Sequence, residues 1–405
     1  MRKLNIGFLL VLALCTVSCF KDNNFEPGDW DTSSHSQPGR LPTEEVRNVM
    51  IMYSAGYNDL SGSLIQDLEE LDYGFVPGAS SRADNILLVF TRQKYYDSSA
   101  PFLYRLYKDK EGTVVKDTLL TWDKTTQATD PAVLKEVMTF ARQKFPAKGY
   151  GLVYSSHASG WHPAYNSSKA SVKSIGQDDD TGRVHETELY EFVDALPYKL
   201  DYILFDACFM ACVEVAWALK DKATWLGFSP TEIMSDGFHY QTLAERLIGG
   251  TEPDPLGVCQ DYFAQYQEPG RTSPYATITL VDTRELPQLA SVCKTLFEAY
   301  RPNINALTSY QVQRYFRMGH NPAYEHLFDL RHMLVKAGIS AAETAQLDAA
   351  LAACIRYEKH TPYFMSLRLE NVCGLSVLLP SSADATLKDF YRQHVVWNDE
   401  TNLIN

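Results

Sequence analysis

The chain reads as an α/β protein, a three-layer sandwich on a mostly parallel sheet with a C-terminal α/β extension. Three observations carry this reading. Apolar runs of strand length recur at 46–55, 84–91, 150–156 and 201–205, and none shows the polar alternation of a half-solvated strand. Segments with apolar residues at helical spacing lie between them. The chain has 405 residues, 45% hydrophobic and 21% charged, which is ample for a sizeable core. Strands buried on both faces and alternating with helices make a parallel sheet covered on both sides.

The first residues stand apart from this pattern. Arg2 and Lys3 precede the short apolar run IGFLLVLAL (6–14), and TVSC (16–19) places small residues before a cysteine. The run is too short to span a bilayer, so it reads as an export signal. Ending on Cys19, it is similar to a bacterial lipoprotein signal, with 1–18 removed and Cys19 lipidated. Residues 19–45 are polar, contain prolines and lack a period, and read as a tether. The expected location is the bacterial cell envelope, with the chain held to a membrane by its lipid.

VRNVMIMYSA (46–55) begins the globular part as a buried strand. NDLSGSLIQDLEELD (58–72) follows as a helix, with Leu60, Leu64, Leu68 and Leu71 on one face. DNILLVFT (84–91) is a second buried strand, and FLYRLYK (102–108) a hairpin strand. The helix at 129–145 has Asp130 to cap it and Pro131 at its first position. YGLVYSS (150–156) is a strand ending at His157, and 162–183 a polar loop. A helix at 186–196 leads to the strand DYILF (201–205). CFMACVEVAWALK (208–220) is expected as a helix opening on Cys208, and TWLGFS (224–229) as a short strand. These elements make a domain over 46–250. In 251–405 the segments 275–283, 287–300, 341–358 and 374–380 read as strand, helix, helix and strand, an extension packed on that domain.

The net charge of −13 argues against nucleic acid, which needs a basic stripe. Outside the signal and Cys19 the cysteines are Cys208, Cys212, Cys259, Cys293, Cys354 and Cys373, with no C-x-x-C pair to suggest zinc. Ligands of parallel sheets bind beyond the carboxyl ends of strands. His157 and Cys208 each follow such an end, so they are candidates for one crevice. A thiol attacks only as thiolate. A helix start and a nearby imidazole both favour that form, and helix-start amides can hold an oxyanion.

YGLVYSSHASGW (150–161) and YILFDACFMACVEV (202–215) resemble the two catalytic blocks of clostripain-like cysteine peptidases, which share a caspase-like clan with caspases, gingipains and legumain. The likeness extends to 50–64, 145–157 and 374–380. His157 precedes Cys208 by about fifty residues, the caspase spacing. The resemblance implies a caspase-like fold and an endopeptidase acting on proteins or peptides, commonly after Arg or Lys. His157 would be general base and acid, and Cys208 the nucleophile. The backbone N–H groups of Ala158 and Cys208 would hold the oxyanion, with Ala158 where the family usually has glycine. Asp206, Asp236 and, behind it, Glu232 are the candidate acids for a cationic pocket, with Asp236 foremost. Lys169, Lys173 and Arg183 are basic positions where self-cleavage between the blocks could fall.

No redox or organic cofactor is implied. Calcium, which some relatives use, would look to Asp178, Asp179 and Asp180, but that run lacks EF-hand spacing and reads as a turn with solvated carboxylates. Cys212 reads as core, and His162 and His185 as solvated. The alternative function is a binding lipoprotein that keeps the fold without catalysis. A thiol-directed peptidyl electrophile would modify Cys208 only in an active enzyme.

Overall fold

The computed structural model describes residues 47–79, 84–96, 99–163, 175–180, 183–317 and 325–405. Strand β1 (Asn48–Gly56) leads into helix α1 (Ser61–Tyr73). Strand β2 (Ile86–Gln93) precedes the antiparallel pair β3 (Phe102–Lys108) and β4 (Val114–Thr121). Next come α2 (Pro131–Lys144), β5 (Gly149–Ser155), the antiparallel pair β6 (Ile175–Asp180) and β7 (Arg183–Thr187), and α3 (Leu189–Ala195). They are followed by β8 (Leu200–Asp206), α4 (Val213–Ala218), β9 (Ala223–Phe228), α5 (Tyr240–Ile248) and α6 (Pro255–Gln265). The remainder supplies β10 (Thr277–Asp282), α7 (Leu286–Ala306), β11 (Leu327–Asp329), α8 (Leu330–Ala337), α9 (Ala341–Cys354) and β12 (Ile355–His360). The small strands β13 (Tyr363–Phe364), β14 (Leu367–Arg368) and β15 (Ser376–Leu378) and the helices α10 (Ala385–His394) and α11 (Val396–Thr401) complete it.

A nine-stranded sheet runs in the order β12-β10-β9-β8-β5-β1-β2-β3-β4. Its centre, β9 to β2, is parallel, and both margins are antiparallel. The apolar runs are continuous because both faces are covered. In β1, Val49, Ile51, Tyr53 and Ala55 enter one core, while Met50 and Met52 enter the other. β2 divides in the same way, Ile86, Leu88 and Phe90 against Leu87 and Val89. This period of two is the pleat of a strand with no solvent face.

Several local expectations hold. Asp130 accepts the Ala132 N–H at 2.8 Å and caps α2, with Pro131 at the first turn. Cys212 is fully buried among apolar side chains. Others do not hold. The segment 208–220 is not one helix: α4 starts at Val213, and Cys208 lies on the turn before it. Phe209 has φ +61, outside any right-handed helix, and its N–H goes to Thr231 O at 2.8 Å while that of Ala211 goes to Ser229 O at 2.9 Å. Helix α9 stops at Cys354, and 355–360 forms an edge strand on β10, where a β-branched and an aromatic residue suit the pleat. Part of the polar loop 162–183 is the strand β6.

The described residues belong to one compact unit. Residues after 250 add β10 and β12 to the central sheet and back the turn that carries Cys208. Ser376 N donates to Ala211 O at 2.9 Å. Glu214 of α4 is fully buried, and its Oε1 accepts Leu378 N and the Tyr391 hydroxyl, both at 2.9 Å. Burial pushes its carboxyl up to about 7.

Candidate active site

The parallel pair β5 and β8 sets the site. Ser155 is in register with Asp206, and Ser156 N reaches Asp206 O at 3.4 Å. His157 lies two residues past Ser155, and Cys208 two past Asp206. Both therefore leave the sheet at the same carboxyl edge, where a parallel sheet offers a crevice.

The two turns that follow pack directly on each other. Gly160 has φ +75, and a Cβ there would lie 2.9 Å from Phe209 O and 3.2 Å from Cys212 Sγ. Only glycine fits both the conformation and the space. Phe209 holds its own left-handed conformation, which costs about 1–2 kcal/mol, because its ring is buried and its amide is bonded to Thr231. That conformation turns the chain immediately after the thiol.

Cys208 is half-buried, and its sulfur receives the Ile233 N–H at 3.4 Å. An amide aimed at sulfur favours the charged form. This contact stands where the sequence suggested a helix start, since α4 begins too late to act on the thiol. The other thiols are poor nucleophiles. Burial raises Cys212, Cys259, Cys293 and Cys373 well above the usual thiol range and takes Cys354 to about 12. The His157 ring is mostly covered, with Nε2 2.6 Å from Asp59 Oδ1, and its carbonyl accepts Gly176 N at 2.8 Å. Ala158 is buried and bridges to Ile175.

The candidate acids separate into two kinds. Asp206 is buried and accepts the Tyr240 hydroxyl at 2.6 Å and Phe238 N at 3.3 Å. Gly237, at φ +55, lets the backbone approach, since a Cβ there would be 2.4 Å from Asp206 Oδ2. Burial pushes the Asp206 carboxyl up to about 6 against the pull of those two donors. Asp236, in contrast, is more than half exposed and pairs with Arg271 Nη1 at 2.5 Å. Glu232 takes Nε and Nη2 of Arg317 at 3.0 and 3.1 Å. Asp206 has no such cation among the described residues, and beside it stands an acid the sequence reading missed. Asp67 of α1 is buried, with Oδ2 lacking a hydrogen-bond partner among the described residues. Burial first, and the Asp206 charge second, push its carboxyl up to about 9. The sequence signal available was a lone acid on the apolar face of an amphipathic helix.

Two further readings are corrected. Asp178 is not a solvated carboxylate: it is buried, bonded to Arg92 Nη1 at 2.8 Å and to Ala128 N at 2.5 Å. His162 is buried, stacked on Trp161 and bonded to Ser159 O at 2.8 Å, and burial with His326 nearby pushes its imidazole down to about 3. His185 lies half-buried in β7. Among the described residues no three His, Cys, Asp or Glu side chains converge as metal ligands. Cys19, Lys169 and Lys173 lie outside the described residues.

The clostripain family, peptidase C11, matches residues 52–402 of the chain. Clostripain of Hathewaya histolytica is 25% identical over 287 residues, 62% of this chain and 53% of its own length, so the chain spans about half of that curated relative. Among solved structures, an inactive zymogen C11 protease from Parabacteroides distasonis superposes with a TM-score of 0.74 at 26% identity, covering 89% of this chain and 99% of that one. A secreted C11 cysteine protease from Bacteroides thetaiotaomicron, solved with an irreversible peptide inhibitor, superposes with a TM-score of 0.73 at 25% identity and the same coverage. The α/β sandwich is thus the C11 protease fold.

Proposed function

This chain belongs to the clostripain family of C11 cysteine peptidases, and on that premise we propose that it is a cysteine endopeptidase with Cys208 as nucleophile and His157 as general base and acid. The observation that carries the reading is the β5–β8 register, which brings both residues to one sheet edge. His157 takes the proton from Cys208 Sγ, and the thiolate attacks the scissile carbonyl carbon. The oxyanion is held by the N–H groups of Ala158 and Cys208. Collapse breaks the C–N bond, and His157 returns the proton to the leaving amine. Water, deprotonated by His157, then cleaves the thioester.

Asp206 is the acid of the first pocket in this reading, which suits Arg or Lys before the scissile bond, while the neighbouring Asp67 carboxyl keeps its proton and adds an acceptor rather than a charge. Asp236 and Glu232 are tied to arginines and form the pocket wall. The test is hydrolysis of Arg, Lys and neutral fluorogenic peptides by wild type and Cys208→Ala. Cleavage by wild type alone, with basic peptides preferred, is expected. Equal rates for the two proteins would refute the dyad, and preference for the neutral peptide would refute the acidic pocket. The N-terminal 1–18 signal supports export and a lipid on Cys19. Labelling with a radioactive fatty acid is expected for wild type and lost in Cys19→Ser. Label retained in the variant would refute the anchor. Among the described residues no helix is long and apolar enough to cross a membrane.

A further inference from the structure

The His157 imidazole has a carboxylate at Nε2. Asp59 Oδ1 lies 2.6 Å from His157 Nε2. An exposed acid on a loose loop would mean little, because surface ion pairs are worth about 0–1 kcal/mol, and the Asp59 side chain is 81% exposed. The loop is not loose. Its neighbour Asn58 is fully buried, donates to Ala55 O at 3.1 Å and Gln177 O at 2.8 Å, and accepts Leu60 N at 2.8 Å. Tyr57 O accepts Asp179 N at 2.7 Å. Ser156, which directly precedes His157, donates its hydroxyl to Ala55 O at 2.6 Å. The backbone on either side of Asp59 is thus tied to β1, to β6 and to the histidine turn.

We propose that Asp59 is a positioning residue that grips His157 at Nε2 and so presents Nδ1 to the Cys208 sulfur. This rests on the Cys208–His157 reading above. A neutral imidazole carries one N–H, and the partner of one nitrogen decides the role of the other. With the proton on Nε2 donated to Asp59, the Nδ1 lone pair is the site that accepts the thiol proton. Asp59 remains ionised throughout, and the proton taken from sulfur passes from Nδ1 to the leaving amine. The neighbouring charges are already matched. Asp178 is paired with Arg92, Asp179 with Lys94 at 3.2 Å, and the Cys208 sulfur receives an amide N–H.

The test compares kcat and KM of wild type, Asp59→Asn and Asp59→Ala on one peptide from about pH 5 to about pH 9, beside the rate of Cys208 alkylation by iodoacetamide. General acid–base groups contribute about 10²–10⁴-fold, and loss of orientation alone should cost kcat about tenfold or more while KM stays within about threefold. Asn, which can still accept from Nε2–H, should retain more activity than Ala. Removing a negative charge beside an imidazolium makes the charged ring easier to deprotonate. The alkaline limb of the kcat profile should therefore move to lower pH, and alkylation at about pH 7, which reads the thiolate that the imidazolium favours, should slow. Profiles of both variants that superimpose on an active wild type overturn the role of Asp59 and leave the dyad standing. A wild type no faster than Cys208→Ala overturns both.

Discussion

Replacing Gly160 by alanine probes the contact that sets the histidine turn against the cysteine turn. Gly160 sits at φ +75, where an L-residue pays about 1–2 kcal/mol. The new Cβ would lie 2.9 Å from Phe209 O and 3.2 Å from Cys212 Sγ, against the roughly 3.5 Å or more of an unstrained contact. Neither neighbour yields easily: Phe209 is tied through its amide to Thr231, and Cys212 is fully buried. The turn from His157 to Trp161 must recede by about half an ångström, at an overpacking cost of about 1–3 kcal/mol. The total loss of stability is about 2–5 kcal/mol. Since a misplacement of about 1 Å can cost about 10²-fold in rate, kcat should fall about tenfold. Gly112→Ala is the control, with φ +83 and nothing within 4 Å of its Cβ. It should lose only the conformational part and keep kcat. Peptide hydrolysis measures the rates, and urea denaturation in a Cys208→Ala background, where self-digestion is absent, measures the stabilities. Wild-type kcat for Gly160→Ala, with a stability loss equal to that of Gly112→Ala, would refute the packed-turn argument.

Substitutions at three other positions test the buried titratable groups. Because burial pushes Asp67 up to about 9 from an ordinary value of 3.8, the folded chain keeps a proton that the unfolded chain releases. Wild-type stability is then fully present below about pH 4 and is lost as pH rises to about 9, by up to about 1.4 kcal/mol per unit. Asp67→Asn should accordingly gain on wild type as pH rises, read by urea midpoints from acid to alkaline pH, and a constant difference would contradict this. Glu214→Ala leaves Leu378 N and the Tyr391 hydroxyl without their acceptor and should cost about 2–4 kcal/mol. Glu214→Gln keeps an acceptor and should recover most of it in the same assay, and equal losses for the two would remove the hydrogen-bond account. Arg92→Leu strands the buried Asp178 carboxylate and should cost about 3–5 kcal/mol, or fail to fold. A thermal midpoint equal to wild type would show that the pair does not hold β6 to the sheet.

The central strands, their parallel direction and the residues at their ends can be read along the chain, while their order in the sheet cannot. The runs at 46–55, 84–91, 150–156 and 201–205 are apolar on both sides of the pleat, which only a doubly covered sheet requires, and His157 and Cys208 stand where two of these runs stop. Cys212 reads as core for the same reason. What surrounds those two side chains is a different matter. Asp59 meets His157 from 98 residues away, and Tyr240 meets Asp206 from 34. Asp178 reads as a solvated acid until Arg92 is found beside it, and His162 as a solvated ring until Trp161 covers it. Asp236 reads as an available acid until Arg271 occupies it. The turn at Cys208 looks helical by composition and is not, because Phe209 turns left-handed under hydrogen bonds to the 229–231 segment. Residue periodicity by itself determined burial and the direction of the chain, since both follow from near neighbours. Partners, charge states and the exact course of the turns were decided only by the tertiary structure, because a hydrogen bond or an ion pair depends on which distant groups packing brings within about 3 Å.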